Sequence, residues 1–251
     1  MEIDTFQIND DETLEDLGLD GLKLLQKARG FRFGTDAVLL AHFCAPRDRE
    51  RIMDLCTGSG IIPVLIAGKT SVGEIVGIEL QEKYAAMAQR SITGNLLEDR
   101  ITIRQGDVTD REFLADFGKF DLVTCNPPYK EWGRGIPNPG DELMIARHEV
   151  TLKLEDVIRA ADLLLKDNGR LCLVHRPERL FDIYRCMQEH HMELKRIRMV
   201  CPSHGKAPNL MLVEGKKGQK PYLKWEPELA IYEADGTYTN EVKEIYQDGR
   251  H

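Results

Sequence analysis

Basic residues are missing from the first twenty positions, which hold Glu2, Asp4, Asp10, Asp11, Glu12, Glu15, Asp16 and Asp20 but no Lys or Arg. A secretory signal needs a basic start and an apolar centre, so none is expected. No apolar run approaches the about twenty residues of a membrane-crossing helix, and no membrane partner is expected either. C-x-x-C pairs and zinc-like Cys/His spacing are also absent, because the six cysteines stand apart at 44, 56, 125, 172, 186 and 201. They are expected to be reduced thiols, mostly in strands, of a cytoplasmic protein without a bound metal. His190-His191 occupies neighbouring helix positions that cannot share one face, so it has no metal role. Internal repeats and low-complexity stretches are lacking too, which sets aside solenoid and disordered architectures.

What is present is globular. The chain has 251 residues, 42% hydrophobic and 30% charged, enough for one large α/β domain or one domain with small appendages. Its net charge of −8 is unevenly spread: residues 170–220 carry eleven Lys or Arg against five acids, whereas residues 221–251 carry three against seven. A basic face between acidic ends can steer a polyanion to one side of a molecule.

Strand and helix patterns alternate. Strands are expected over residues 51–56, 74–79, 101–104, 120–125 and 171–174, with two more near 195–201 and 209–214 joined by Pro202-Ser203-His204-Gly205-Lys206. A helix follows Thr57-Gly58-Ser59-Gly60, and another places Tyr84, Met87, Ala88, Ile92 and Leu96 on one face. The helix over 151–167 should end at Gly169, and Pro177 should open the next. Asp235-Gly236, between two short apolar runs, signals a hairpin, with a short helix from Asn240 to Tyr246 after it. Such alternation implies a parallel sheet covered by helices on both faces.

Three motifs carry chemistry. In Asp54-x-Cys56-x-Gly58-x-Gly60, a first strand turns into a first helix. The glycines let backbone approach a ligand, and the helix start favours a carboxylate or phosphate. Glu79, ending the second strand, can accept hydrogen bonds from both hydroxyls of a ribose. Loop and acid together point to an adenosine-containing cofactor; Asp107 can hold an adenine amino group while Val108 packs on the ring. Asn126-Pro127-Pro128-Tyr129 closes the strand Phe120–Cys125. Its amide oxygen, a backbone carbonyl, stiff backbone and aromatic face together would hold a planar amino group.

These motifs resemble those of the class I S-adenosylmethionine-dependent methyltransferases that modify planar amino nitrogens. Cys56 departs from that family, which usually has the loop's first glycine there. The segment Gly30 to Leu40 with Gln26, Asp54 to Ile62, Asn126 to Tyr129 and Ala146-Arg147-His148-Glu149 resembles, more closely, the bacterial tRNA-valine adenine-N6 methyltransferases. That resemblance implies a Rossmann-like fold with a seven-stranded, mostly parallel sheet, S-adenosylmethionine as cofactor, and an adenine of a tRNA anticodon loop as substrate. It also implies that Gln26, Phe33, Gly34, Thr35 and Asn126 join Asp54, Cys56, Gly58, Gly60, Glu79, Asp107 and Val108 around the cofactor.

Gly34 could equally serve as a cap for an amphipathic helix starting near Thr35. The expected divisions are a leading segment 1–49 of short strands and a helix capping the cofactor site, a methyltransferase core 50–217, and a C-terminal hairpin and helix extension 218–251. Lys130 and Arg134, in a lid spanning 130–146, together with Arg147, His148, Arg176 and Lys206, are candidate RNA contacts. His175, Arg179, Lys216 and Lys217 are further candidates for phosphate.

Rival readings are a protein-glutamine methyltransferase, whose substrate amide is also planar, and an RNA-binding or cofactor-sensing protein that has kept the fold. About fifty residues before the first core strand are too few for the separate helical domain that glutamine-modifying enzymes carry. A DNA substrate is not expected, since no added duplex-reading module is evident.

Overall fold

The computed structural model describes residues 6–29, 34–127 and 152–247. Phe33, Pro128, Tyr129, Lys130, Arg134, Arg147 and His148, with the rest of the expected lid, lie outside the described residues.

Strands β1 (Glu12–Asp16) and β2 (Lys23–Lys27) form an antiparallel hairpin, followed by α1 (Thr35–Phe43). Then come β3 (Arg51–Leu55), α2 (Ile61–Lys69), β4 (Glu74–Glu79), α3 (Glu82–Gly94), β5 (Ile101–Gln105), α4 (Arg111–Ala115) and β6 (Phe120–Cys125). After the undescribed stretch come α5 (Leu154–Leu164), β7 (Leu165–His175), a 3-10 turn (Pro177–Arg179) and α6 (Leu180–Glu189). The chain continues through β8 (Met192–Ser203), β9 (Leu210–Lys217), β10 (Lys224–Trp225), β11 (Leu229–Tyr232) and α7 (Asn240–Gln247).

The large sheet runs β5-β4-β3-β6-β7-β9-β8, with β10 and β11 both parallel to the outer edge of β8. Only β9 is antiparallel, to β7 and to β8. Seven strands were expected; the two extra are short pieces of the C-terminal stretch laid on the sheet edge. The near-continuous apolar runs of β3, β4 and β6 follow from this placement, because a parallel sheet covered on both faces buries both sides of each strand. One core lies under α1, α2 and α7, the other under α4, α5 and α6. The chain moves outward from β3 through β4 and β5, then returns to β6 on the other side of β3. That reversal opens a crevice above the β3–β6 seam, where ligands bind in open sheets of this kind.

Three details differ from expectation. α5 stops at Leu164, not at Gly169, because Leu165 is drawn into the sheet beside Phe120 and fully buried. Asn168, with φ +65°, takes the left-handed position instead of the glycine. The hairpin around Asp235-Gly236 shrinks to one bridge, Tyr232 to Tyr238, since Leu229 to Ile231 gain burial by pairing with β8. α1 begins at Thr35 with Gly34 as its N-cap, but it is not amphipathic: Ala37 to Ala41 and Phe43 are all buried, enclosed by α2, α7 and the sheet.

The β1–β2 hairpin is pinned to α3. Leu25 N donates to Ser91 Oγ (3.0 Å), Lys23 N to Asn95 Oδ1 (2.9 Å), and the Arg90 guanidinium grips both oxygens of Glu12 at 2.7 Å. The Arg90 bonds, more than the opposing cost of burial, hold the Glu12 carboxyl well down, at a pKa of about 2.

Candidate active site

The site is built at the carboxyl ends of β3, β4 and β6. Asp54, fully buried in β3, stands in register with Thr124 of β6 and Gly77 of β4. Thr124 Oγ1 donates to Asp54 Oδ1 at 2.6 Å. Burial pushes the Asp54 carboxyl up to a pKa of about 7, against the pull of the Thr124 and Thr57 hydroxyls and with a smaller upward push from Glu79. Gly77 makes the room: a Cβ there would sit 2.9 Å from Thr57 Oγ1 and from Ile103 Cδ1. Thr124 and Gly77 were missed from sequence. The available signals were a hydroxyl in an apolar strand and a glycine in a strand interior, which marks close approach of neighbours.

The loop after β3 needs three left-handed residues, Cys56 (φ +58°), Gly58 (φ +57°) and Gly60 (φ +82°). For Cys56 this conformation costs about 1–2 kcal/mol, which a glycine would avoid. The departure from the family pattern therefore falls where glycine is conformationally favoured. Cys56 lies against Cys125, whose thiol is raised well above its ordinary pKa by burial and by that neighbour. Thr57 N donates to Ile78 O (2.9 Å) and Gly60 N to Thr57 O (2.9 Å), closing the loop over the seam. Ser59 Oγ is buried there without a hydrogen-bond partner among the described residues.

Glu79 ties the loop to the next strand. Its Oε2 accepts from Gly58 N (2.9 Å) and its Oε1 from Gln81 N (2.9 Å), while its backbone carbonyl accepts from Gly106 N (3.0 Å). The carboxylate plane is thus fixed at the rim, beside the loop backbone and the turn that carries Asp107. Asp107 is exposed, and its Oδ1 accepts from Thr109 N (2.8 Å) and Thr109 Oγ1 (2.7 Å); Val108 is buried in the core cluster that includes Met53 and Ile78. Asn126, half-buried, and Pro127, buried, extend β6 one and two residues past its end. β3 and β6 pair through Leu55 and Cys125, so Asn126 stands next to Cys56 across the seam.

The remaining expected residues fall in three places. Thr35 opens α1, with its Oγ1 3.5 Å from the Tyr246 hydroxyl. Gln26 is buried in β2, in register with Thr13. Arg176 and Lys206 reach one rim: Arg176 Nη1 donates to Asn209 O (2.9 Å), binding the end of β7 to the β8–β9 turn in which Lys206 is exposed.

The basic stretch 170–220 does not form one face. β9 runs antiparallel, so Lys216 and Lys217 lie at the far end of the sheet beside Arg170 and Met192. Arg170 and Arg196 turn inward to ion pairs with Glu50, Glu214 and Glu226. His175 is buried, its Nδ1 accepting from Arg176 N (2.8 Å). Burial, then Arg179 and Arg176, lower its pKa to about 4.

A glycine loop closed by an acid, beside a strand-end Asn-Pro at the topological switch point, defines an enzyme class that holds a nucleoside-containing cofactor next to an amino-group acceptor. Residues 30–198 match the family described as "Methyltransferase small domain", and the chain belongs to that family. Its methyl donor is S-adenosylmethionine, and the residues present fit it: Glu79 for ribose hydroxyls, and the backbone of residues 56–60 for close approach.

Among relatives, the tRNA1(Val) (adenine(37)-N6)-methyltransferase of Porphyromonas gingivalis (strain ATCC 33277) is 30% identical over 224 residues, covering 86% of this chain and 87% of that protein. The protein of the same name from Shewanella sp. (strain MR-4) is also 30% identical, over 87% of this chain and 92% of its own length. Among solved structures, an Agrobacterium tumefaciens protein described as a predicted O-methyltransferase matches with a TM-score of 0.67 at 24% identity, over 85% of this chain and 96% of that one. That likeness speaks for the fold alone. No described helix is long and apolar enough to cross a membrane, and no group of three or more His, Cys, Asp or Glu among the described residues could hold a metal ion.

Proposed function

We propose that the protein methylates the exocyclic N6 of an adenine in a tRNA anticodon loop; the names of the two relatives specify N6 of adenine 37 in tRNA1(Val). The observation that carries this reading is Asn126-Pro127 one strand away from the Cys56–Gly60 loop, at the switch point of the sheet.

S-adenosylmethionine supplies an activated methyl group on a sulfonium. An adenine amine is a poor nucleophile, because its lone pair is delocalised into the ring, so the protein's task is positioning and charge stabilisation. Asn126 Oδ1 and the Pro127 carbonyl accept the two N–H bonds and stabilise positive charge as it develops on nitrogen. The seam would hold that nitrogen facing the Cys56–Gly60 loop. When bound, the donor would supply a methyl whose bonding pair stays with the leaving sulfur, and the substrate nitrogen held at Asn126 and Pro127 would give up its surplus proton to water. Asp54, walled in beneath the loop by Thr124 and Thr57, shapes the floor and takes no proton from the substrate. Reaching the pocket requires an unstacked base, which a single-stranded loop provides at little cost. Such a substrate places the protein in the cytoplasm.

The test is transfer of labelled methyl from S-adenosylmethionine to bulk unmodified tRNA, followed by nucleoside analysis. Label in N6-methyladenosine is the expected result. No label in tRNA, with cofactor binding intact, would overturn the reading in favour of a glutamine-bearing protein or another RNA.

A further inference from the structure

An amphipathic surface helix ordinarily turns charged and polar residues to water. α6 does not. It buries Ile183, Cys186 and Met187, and its opposite stripe carries Phe181 and Tyr184, 83% and 47% exposed, followed by Arg185 and Gln188. Arg179 Nε and Arg185 Nη2 share one carboxylate, Asp182, at 2.7 and 3.4 Å, with Glu178 and Glu189 flanking the group in sequence. Arg176 adds another cation at the rim.

The placement of this stripe follows from the sheet. β6 and β7 are parallel, with Cys125 opposite Leu173, which sets the end of β7 beside Asn126-Pro127. The turn Pro177–Arg179 then leads directly into α6, so Phe181 lies in the first helical turn at that same rim. Cα–Cβ bonds tilt toward a helix N-terminus, so both rings lean toward the site end. One strand separates the turn that leads to Phe181 from Asn126, so both stand at the same rim of the sheet.

We propose that Phe181, supported by Tyr184 one turn below, is a stacking platform for unpaired bases next to the target adenine, with Arg185 and Arg176 facing the backbone. Aromatic rings beside guanidinium groups are the usual means of holding single-stranded nucleic acid without reading its sequence. The inference rests on the tRNA reading above. It adds the surface that holds the loop while one base is out of the stack.

The experiment compares wild type, Phe181→Ala, Tyr184→Ala and Phe181→Trp with unmodified tRNA at saturating cofactor, and repeats it on an anticodon stem-loop whose bases flanking the adenine are replaced by abasic sites. Phe181→Ala should raise KM for tRNA about tenfold with kcat and cofactor Kd little changed, Tyr184→Ala should do so less, and Phe181→Trp should match wild type. On the abasic substrate the gap between wild type and Phe181→Ala should close. If wild type is active on tRNA and Phe181→Ala stays within twofold of it, the platform is wrong and the proposed function stands. If wild type sediments as a dimer that Phe181→Ala dissociates, the face belongs to a second copy and the platform is equally wrong. If wild type transfers nothing to tRNA, the proposed function falls and takes the platform with it.

Discussion

The two halves of the large sheet are built differently. From β5 to β6 every pairing is parallel, and functional groups are tied together by short backbone and carboxylate bonds: Thr124 to Asp54, Gly58 and Gln81 to Glu79, Gly106 to Glu79. From β7 through β9 to β8 the sheet turns antiparallel, and its rim carries solvent-facing cations and aromatics, with Lys206 and Phe181 as examples. A small cofactor of fixed shape is served by a rigid, prepaid cradle, whereas a large flexible polyanion is served by a broad rim of long side chains. On the proposed function the two recognition tasks would divide by strand, with Asn126 at the border between them.

The border itself should be the most sensitive point. Asn126→Ala is expected to lower kcat by about a hundredfold to a thousandfold while cofactor Kd stays within a few-fold; wild-type turnover in that variant would remove Asn126 from the chemistry. Next in size, Glu79→Ala should raise the cofactor Kd about ten- to a hundredfold, since a charge-assisted acceptor and the anchor of Gly58 are both lost. Calorimetry on the variant settles this, and tRNA affinity measured without cofactor should not move. If tRNA affinity fell equally, the proposed division between the two halves would fail.

A third change tests the cradle through pH. The folded pKa of Asp54, about 7, lies above its ordinary value of 3.8, so its stabilising effect is fully present below about pH 4 and fades as pH rises to about 7. His175 acts oppositely: its folded value of about 4 lies below 6.5, so stability is gained as pH rises through that window. Asp54→Asn should remove the first slope and leave the second, so that denaturant midpoints for the variant rise between pH 4 and 7 more steeply than for wild type. Equal slopes in the two proteins would show that Asp54 is ionised in the fold.

The smallest effect is expected at the outer rim. Lys206→Ala should weaken tRNA binding a few-fold and reduce the slope of log affinity against log salt by about one, with cofactor affinity untouched. An unchanged salt slope would place the RNA elsewhere.

The strand positions of β3, β4 and β6 were readable because buried parallel strands must be apolar on both faces, and Asn126 and Glu79 were readable because each directly follows or closes such a run. The supporting partners Thr124 and Gly77 were not, because their roles exist only once β3 lies between β4 and β6. The end of α5 was misplaced for a related reason: Gly169 is a local stop signal, and burial of Leu165 beside Phe120 overrode it.

Local pattern encodes the alternating α/β architecture, the glycine loop with its acid, and the strand-end Asn-Pro, since each depends on neighbours within a few residues. Long-range pairing sorts the cations of residues 170–220 between the two ends of the sheet and its interior. Eleven cations between 170 and 220 looked like one basic face. The antiparallel run of β9 sends Lys216 and Lys217 to the far end of the sheet, and Arg170 and Arg196 are spent on half-buried carboxylates. Strand direction and ion pairing act across long sequence separations, and no local pattern encodes them.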